Sequence, residues 1–72
     1  MNENFFKGTV VKNGDTYESL AEYLGISAVT LTRKVRPKYE SEFTQDEIRR
    51  IKEKYHLTPE EVDEIFFADA VS

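Results

Sequence analysis

Apolar residues recur at helical spacing in the second half of the chain. Ile48, Ile51 and Tyr55 lie three and four positions apart, with charged residues between them, so the three side chains share one face of a helix. A capping box, in which a Thr and a Glu three residues later satisfy each other's backbone amides, begins at Thr44. The pattern predicts a helix over residues 44–55.

The same capping pattern recurs at Thr58, and here a proline occupies the first helical position. Val62, Ile65 and Phe66 form the apolar stripe of the helix that follows. We predict this helix over residues 58–68 and expect Phe66 to enter the core.

A shorter helix is predicted upstream. Leu20, Ala21 and Leu24 share one face of a helix that runs through Leu24, and Asp15 with Thr16 is its plausible N-cap. Gly25 comes next, and glycine suits the left-handed conformation in which many helices end.

Another short helix follows that glycine directly. Ser27 is its predicted N-cap, and Leu31 and Val35 face the core four residues apart. Pro37 prevents the helix from continuing much further. Residues 37–42 are therefore predicted to form a loop.

The segment before Gly14 fits two structures. Val10 and Val11 favour a strand, and Asn13 with Gly14 could turn a hairpin. Phe6 and Val10, however, are also spaced for a helix that Gly14 would end. The local residues favour the helix by a small margin.

Length and composition limit the functions that are open to the chain. Its 72 residues predict a single domain, residues 1–72, because domains typically hold about 50–250 residues. The absence of cysteine excludes disulfides and thiolate metal sites. No apolar run approaches the roughly 20 residues of a membrane span, and the first residues carry no signal-peptide pattern. We therefore expect a cytoplasmic protein with no membrane partner.

The charges are segregated along the chain. The net charge of −4 taken alone argues against a nucleic-acid partner. Residues 28–39, however, contain no acid and include Arg33, Lys34, Arg36 and Lys38. Because screening acts over roughly 8 Å at physiological salt, such a basic face could bind phosphate while distant acids matter less. The alternative is an ordinary solvated surface.

The most informative unit is the pair of short helices joined at Gly25, over about residues 16–36. A steep helix crossing needs a small residue such as Ala21, a turn with positive φ and apolar side chains on both sides. "TYESLAEYLGISAVTLTRKV" (residues 16–35) resembles the helix-turn-helix of the phage repressor and Cro family, which is lambda-repressor-like in fold. "SEFTQDEIRRIKEKYHLTPEEVDEIFF" (residues 41–67) is similar to the downstream half of small prophage and mobile-element regulators.

The resemblance implies an all-α protein, a compact bundle of about five short helices in which the first segment is helical. It also implies a sequence-specific DNA-binding transcriptional regulator in the cytoplasm of a bacterial or phage-infected cell. Such a repressor would occlude a palindromic operator on double-stranded DNA, with its recognition helix in the major groove.

The DNA contacts of that family, carried over by position, imply base contacts on the recognition helix and phosphate contacts on and beside it. The candidate base contacts are Ser27, Ala28, Val29, Thr32 and Arg33. The candidate phosphate contacts are Tyr17, Thr30, Lys34, Arg36 and Lys38. Arg33 is the strongest candidate for reading a base, because a guanidinium can pair bidentately with guanine O6 and N7.

The end of the chain predicts weak self-association. Phe67 lies about 100° around the helix from Phe66, and Val71 follows one turn later. Exposed together, Phe67 and Val71 would form the interface of a weak homodimer. The alternative is that Phe67 folds back against Phe5 or Phe6 in the core.

No residue pattern indicates catalysis. The sequence holds no Ser/His/Asp set, glycine-rich phosphate loop or histidine cluster, and the acids that open the last helix are explained by the helix dipole. We expect no cofactor, no metal and no small-molecule ligand. The alternative function is a protein-interaction module of the same fold, which would bind another regulator as an anti-repressor does.

Overall fold

A computed structural model describes residues 1–36 and 41–67 of the chain. Two of the residues predicted to form contacts, Lys38 and Val71, lie outside the described residues, as does Pro37.

The described chain folds into five α-helices. They are α1 (Glu3–Lys12), α2 (Tyr17–Leu24), α3 (Ala28–Val35), α4 (Gln45–Tyr55) and α5 (Pro59–Phe66). No β-strand occurs within residues 1–36 and 41–67. The prediction of a small all-α bundle is confirmed.

The first segment is helical. The side chain of Asn2 caps α1 by accepting a hydrogen bond from the Phe5 amide at 3.0 Å. Asn13 ends the helix, and Gly14 follows in the left-handed region with φ +78°. The hairpin that residues 13 and 14 could have formed is therefore excluded.

Local side-chain caps set the starts of the other helices. Thr44 with Glu47 and Thr58 with Glu61 form the two predicted capping boxes. A third box, which the sequence did not predict as a box, pairs Thr16 with the hydroxyl of Ser19. The last helix ends at Phe66, two residues before the predicted end, because Phe67 leaves the helical conformation with ψ 5°.

The predicted apolar stripes converge on one core. Its buried members are Phe6, Val10, Leu20, Ala21, Leu24, Leu31, Val35, Ile51, Tyr55, Leu57, Val62 and Ile65. Burial of apolar area at roughly 25 cal/mol per Å² is the main stabilising term for such a bundle.

Phe66 was predicted to enter the core, but it packs against the edge of the core and is half-buried. Its ring lies 5.4 Å from the ring of Phe43 and 6.1 Å from that of Phe6, both nearly perpendicular. Edge-to-face contacts of this kind add to the stability of an aromatic cluster. The cluster joins α1 and α5 to the segment just before α4.

One backbone hydrogen bond joins α1 and α5. The Asn2 amide donates to the Ile65 carbonyl at 2.8 Å, which ties the start of α1 to the end of α5. None of the described helices has the length and apolar character needed to cross a membrane.

Candidate nucleic-acid interface

The turn between α2 and α3 is fixed by backbone geometry. Gly25 adopts φ +76° and ψ 27°, and the Ile26 amide donates to the Ala21 carbonyl at 3.0 Å. This is the six-residue hydrogen bond of a Schellman ending, which satisfies a carbonyl that the helix leaves free. A Cβ at Gly25 would meet no atom within 4 Å, so the turn requires glycine for its positive φ rather than for space.

The start of α3 is built by Ser27 and Thr30. The Ser27 hydroxyl accepts a hydrogen bond from the Thr30 amide at 3.1 Å and donates to the Thr30 hydroxyl at 2.9 Å. Both residues were predicted to contact DNA. In the structure Ser27 is the N-cap of α3, and Thr30 is the residue that its hydroxyl bonds. Ser27 is exposed and Thr30 is half-buried.

Opposite faces of α3 differ in character. Leu31 and Val35 are buried in the core. Val29, Arg33 and Arg36 are exposed and lie four and three residues apart, so they form one outward stripe. The side chain of Val29 is 62% exposed. We call these three residues the outer stripe of α3.

Two other predicted base contacts, Ala28 and Thr32, are less exposed than the outer stripe. Ala28 is half-buried and packs against the core, where its methyl group helps to lock α3 in place. The Thr32 hydroxyl donates to the Ala28 carbonyl at 2.9 Å. Both residues therefore have a structural role at the positions where readout of bases was expected.

Lys34 is placed differently from the prediction. Its ammonium lies 3.0 Å from the Glu42 carbonyl and 3.2 Å from Oε1 of Glu47, and its side chain is only 12% exposed. Glu42 lies in the segment that leads into α4, and Glu47 lies in the first turn of α4. Sequence spacing gave no signal for either partner. We therefore leave Lys34 out of the candidate interface.

Arg36 and Tyr17 lie near an acid that sequence reasoning missed. Arg36 Nε is 3.9 Å from Oε2 of Glu3, and both side chains are well exposed. Tyr17 is half-buried with its ring 5.6 Å from that of Phe6. Burial and the Glu3 carboxylate raise the pKa of Tyr17, against a smaller lowering by Arg36. The Tyr17 hydroxyl therefore stays protonated at neutral pH and can donate a hydrogen bond.

Both arginines of α4 have intramolecular partners. Arg49 pairs with Asp46 and with Glu53. Arg50 donates to the Tyr23 carbonyl at 3.0 Å, with its guanidinium carbon 5.2 Å from the centre of the Tyr23 ring. The Arg50 contacts join α4 to the end of α2, whereas the Arg49 pairs stay within α4.

The predicted dimer residue Phe67 is 57% exposed. Phe67 lies outside the core, which contradicts the alternative in which it packs under α1. A surface groove with a volume of ≈ 480 Å³ is lined by both Phe67 and Arg36. The end of α5 therefore borders the same groove as the end of α3.

Taken together, the structure brings four candidate contacts, Tyr17, Val29, Arg33 and Arg36, to α3 and the adjoining start of α2. No protein-family model matches the chain, and neither a curated protein nor a solved structure is significantly similar to it.

Proposed function

We propose that the protein is a sequence-specific DNA-binding regulator whose α3 enters the major groove. The observation that carries the proposal is the outer stripe of α3, in which Val29, Arg33 and Arg36 are exposed on a helix whose opposite face is fixed in the core. Residues 27–36 contain no Asp or Glu. A helix about 10–12 Å across fits a major groove about 12 Å wide.

Each residue of the stripe has a chemical counterpart on DNA. Arg33 can donate two hydrogen bonds to guanine O6 and N7, and Val29 can contact a thymine methyl group. Arg36 is the C-cap of α3, and its guanidinium can donate hydrogen bonds to a phosphate. The protonated hydroxyl of Tyr17 is a further phosphate donor, since backbone contacts outnumber base contacts in such complexes.

Two acidic features of the protein oppose DNA binding and determine how it depends on salt. Glu3 competes with phosphate for Arg36, because the carboxylate already lies 3.9 Å from Nε. The acids that open α5 add to the net charge of −4. Screening over roughly 8 Å confines that repulsion to nearby phosphates at physiological salt. We therefore expect specific binding with few phosphate contacts and a shallow dependence on salt.

The regulator acts as a weak dimer in this proposal. A two-fold partner that covers Phe67 sets two copies of α3 about one DNA turn apart, roughly 34 Å, on a palindromic site. A dimer bound there blocks polymerase, and the protein represses by occlusion. Control then comes from the concentration of the protein and from competition between sites.

A second candidate is supported by one specific observation. Val29 forms the N-terminal end of the outer stripe and is 62% exposed. An exposed valine suits an apolar protein partner as well as a thymine methyl. In that case the same face binds another regulator in the manner of an anti-repressor.

A titration of ¹⁵N-labelled protein with a mixed-sequence DNA duplex tests the interface. The proposal predicts that amide shift changes fall on residues 27–36 and on Tyr17, while α5 stays unchanged at low occupancy. The variant Arg36→Glu should remove most of the changes, and Arg49→Glu on α4 should not. An absence of changes with any duplex, together with retained folding, would favour the protein-interaction module.

A further inference from the structure

We infer that Lys34 is a positioning residue, which fixes the last turn of α3 to the first turn of α4 and does not contact DNA. The part of this inference that concerns DNA rests on the proposed function. The structural part concerns a contact that can be measured without DNA. We call the contact of Lys34 with Glu42 and Glu47 the α3–α4 clasp.

The clasp is a nearly closed polar site. The Lys34 ammonium lies 3.0 Å from the Glu42 carbonyl and 3.2 Å from Oε1 of Glu47, and both charged side chains are 12% exposed. The Phe43 ring centre is 6.0 Å from the same nitrogen, within range of a cation–π contact. An ion pair that water reaches so little is screened less by salt than an exposed pair.

The capping box of α4 holds the acid in place. Oε1 of Glu47 accepts a hydrogen bond from the Thr44 amide at 2.8 Å, and the Thr44 hydroxyl accepts one from the Glu47 amide at 3.1 Å. One carboxylate oxygen therefore serves both the box and Lys34. Because the box fixes the Glu47 rotamer, Lys34 pairs with a pre-positioned partner and loses less entropy on pairing.

The consequence for α3 is a fixed rotation about its axis. Successive residues in a helix are about 100° apart, so holding Lys34 inward against α4 directs its neighbour Arg33 outward. Arg36 follows three residues after Arg33, nearly one full turn later, as the C-cap of the same helix. The clasp thus sets which cations of residues 33–36 face a ligand, and Lys34 contributes no free charge to that face.

Removing the negative charge beside Lys34 should change DNA binding in opposite directions, depending on whether Lys34 is a positioning residue or a phosphate contact. The variant Glu47→Gln keeps an oxygen for the capping box and removes one negative charge. If electrostatic attraction alone mattered, it would strengthen DNA binding. If Lys34 is a positioning residue, Glu47→Gln should weaken specific DNA binding. The ratio of the affinity for the specific site to that for random DNA should fall roughly twofold or more, which corresponds to the smallest coupling energies measured between contacting residues. Glu53→Gln, an exposed acid on the same helix, is the matched control and should not lower this ratio.

The salt dependence of DNA binding is a second test of the role of Lys34. Lys34→Met should leave the slope of log affinity against log salt unchanged, whereas Arg36→Ala should make it shallower by about one unit. A shallower slope in Lys34→Met, with tighter specific binding by Glu47→Gln, would overturn the inference and make Lys34 a phosphate contact.

Urea unfolding of the free protein tests the clasp itself. In a double-mutant cycle, Lys34→Met and Glu47→Gln should each lower the unfolding midpoint, and the double variant should fall by less than the sum. Additive losses would show that the two side chains do not interact and would overturn the inference. Coupling in the free protein with no DNA binding by the unmodified chain would uphold the clasp and contradict the proposed function.

Discussion

The hydroxyl of Tyr55 donates a 2.7 Å hydrogen bond to Oδ2 of Asp15, 40 residues earlier in the chain. Tyr55 is buried at the end of α4, and Asp15 lies in the turn between α1 and α2. The other carboxylate oxygen of Asp15 accepts from the Ser19 hydroxyl at 3.1 Å, and Lys54 Nζ lies 3.5 Å from Oδ2. The contact fastens the start of the α2–α3 unit to the C-terminal half of the protein.

Tyr55→Phe should lower the free energy of unfolding by about 1.5–3 kcal/mol, the range for a hydrogen bond to a charged group. The ring still fills its place in the core, so the loss comes from the hydroxyl alone. Urea unfolding followed by circular dichroism measures it. Tyr23→Phe, at an exposed tyrosine, is the control and should change stability by less than about 0.5 kcal/mol. Equal effects of the two variants would show that the bond to Asp15 adds nothing.

Acid should weaken the fold through Asp15. The hydrogen bond from Tyr55 is the largest cause that lowers the pKa of Asp15 below its ordinary value of 3.8, with smaller contributions from Ser19 and Lys54. Because the folded pKa is the lower one, this stabilisation is fully present above the unfolded value and is lost as the pH falls through the folded pKa. Unfolding free energies measured between pH 6 and pH 2 should therefore decline below about pH 4.

Asp15→Asn is the matched variant for that pH series. It should be less stable at pH 6, and the difference from the unmodified protein should shrink as the pH falls, because both chains are then uncharged at this position. A constant difference across the range would mean that another group carries the acid dependence.

Gly25→Val should destabilise the protein by at least about 1–2 kcal/mol, the cost of placing a residue with a Cβ in the left-handed region. A Cβ has room at this position, so the cost comes from φ +76° and is larger for a β-branched side chain. Gly25→Asn should be better tolerated, because asparagine adopts this conformation more readily. Thermal unfolding checks both, and equal losses for Val and Asn would indicate that crowding rather than φ sets the requirement.

Much of the fold could be predicted from the sequence because its signals are local. Thr44 and Thr58 act on amides three residues away, and Gly25 acts on its own turn, so each signal lies within a few residues. The helical nature of α1 was ambiguous on local evidence. The burial of Phe6 and Val10 against other helices accounts for the outcome, which is a tertiary effect that local propensity does not contain.

The candidate site could be predicted less completely. The outer stripe follows from helical spacing, since Leu31 and Val35 fix which side of α3 faces inward. The partners of Lys34 and Arg36 could not be predicted, because Glu47 and Glu3 are brought to them only by the packing of α4 and α1. Charge alone made Lys34 and Arg36 look alike, and only the structure separates an inward lysine from an outward arginine.

Phe67→Ser should abolish self-association and leave the fold intact, because a side chain that is 57% exposed contributes little to the core. Sedimentation equilibrium measures the association, and circular dichroism checks the fold. Phe5→Ser, at a less exposed phenylalanine on α1, should leave the association unchanged. Unfolding of the Phe67 variant without any association in the unmodified protein would place this side chain in the core.

The central claim is that the outer stripe of α3 reads a DNA sequence, and selection of bound duplexes from random DNA tests it most directly. The account predicts a recovered palindrome with half-sites about 10 base pairs apart. On that site Arg33→Ala should cost roughly 1–3 kcal/mol of binding and relax the preference at one base pair of each half-site. Recovery of no enriched sequence by a folded protein, or equal losses on selected and random DNA for Arg33→Ala, would contradict it.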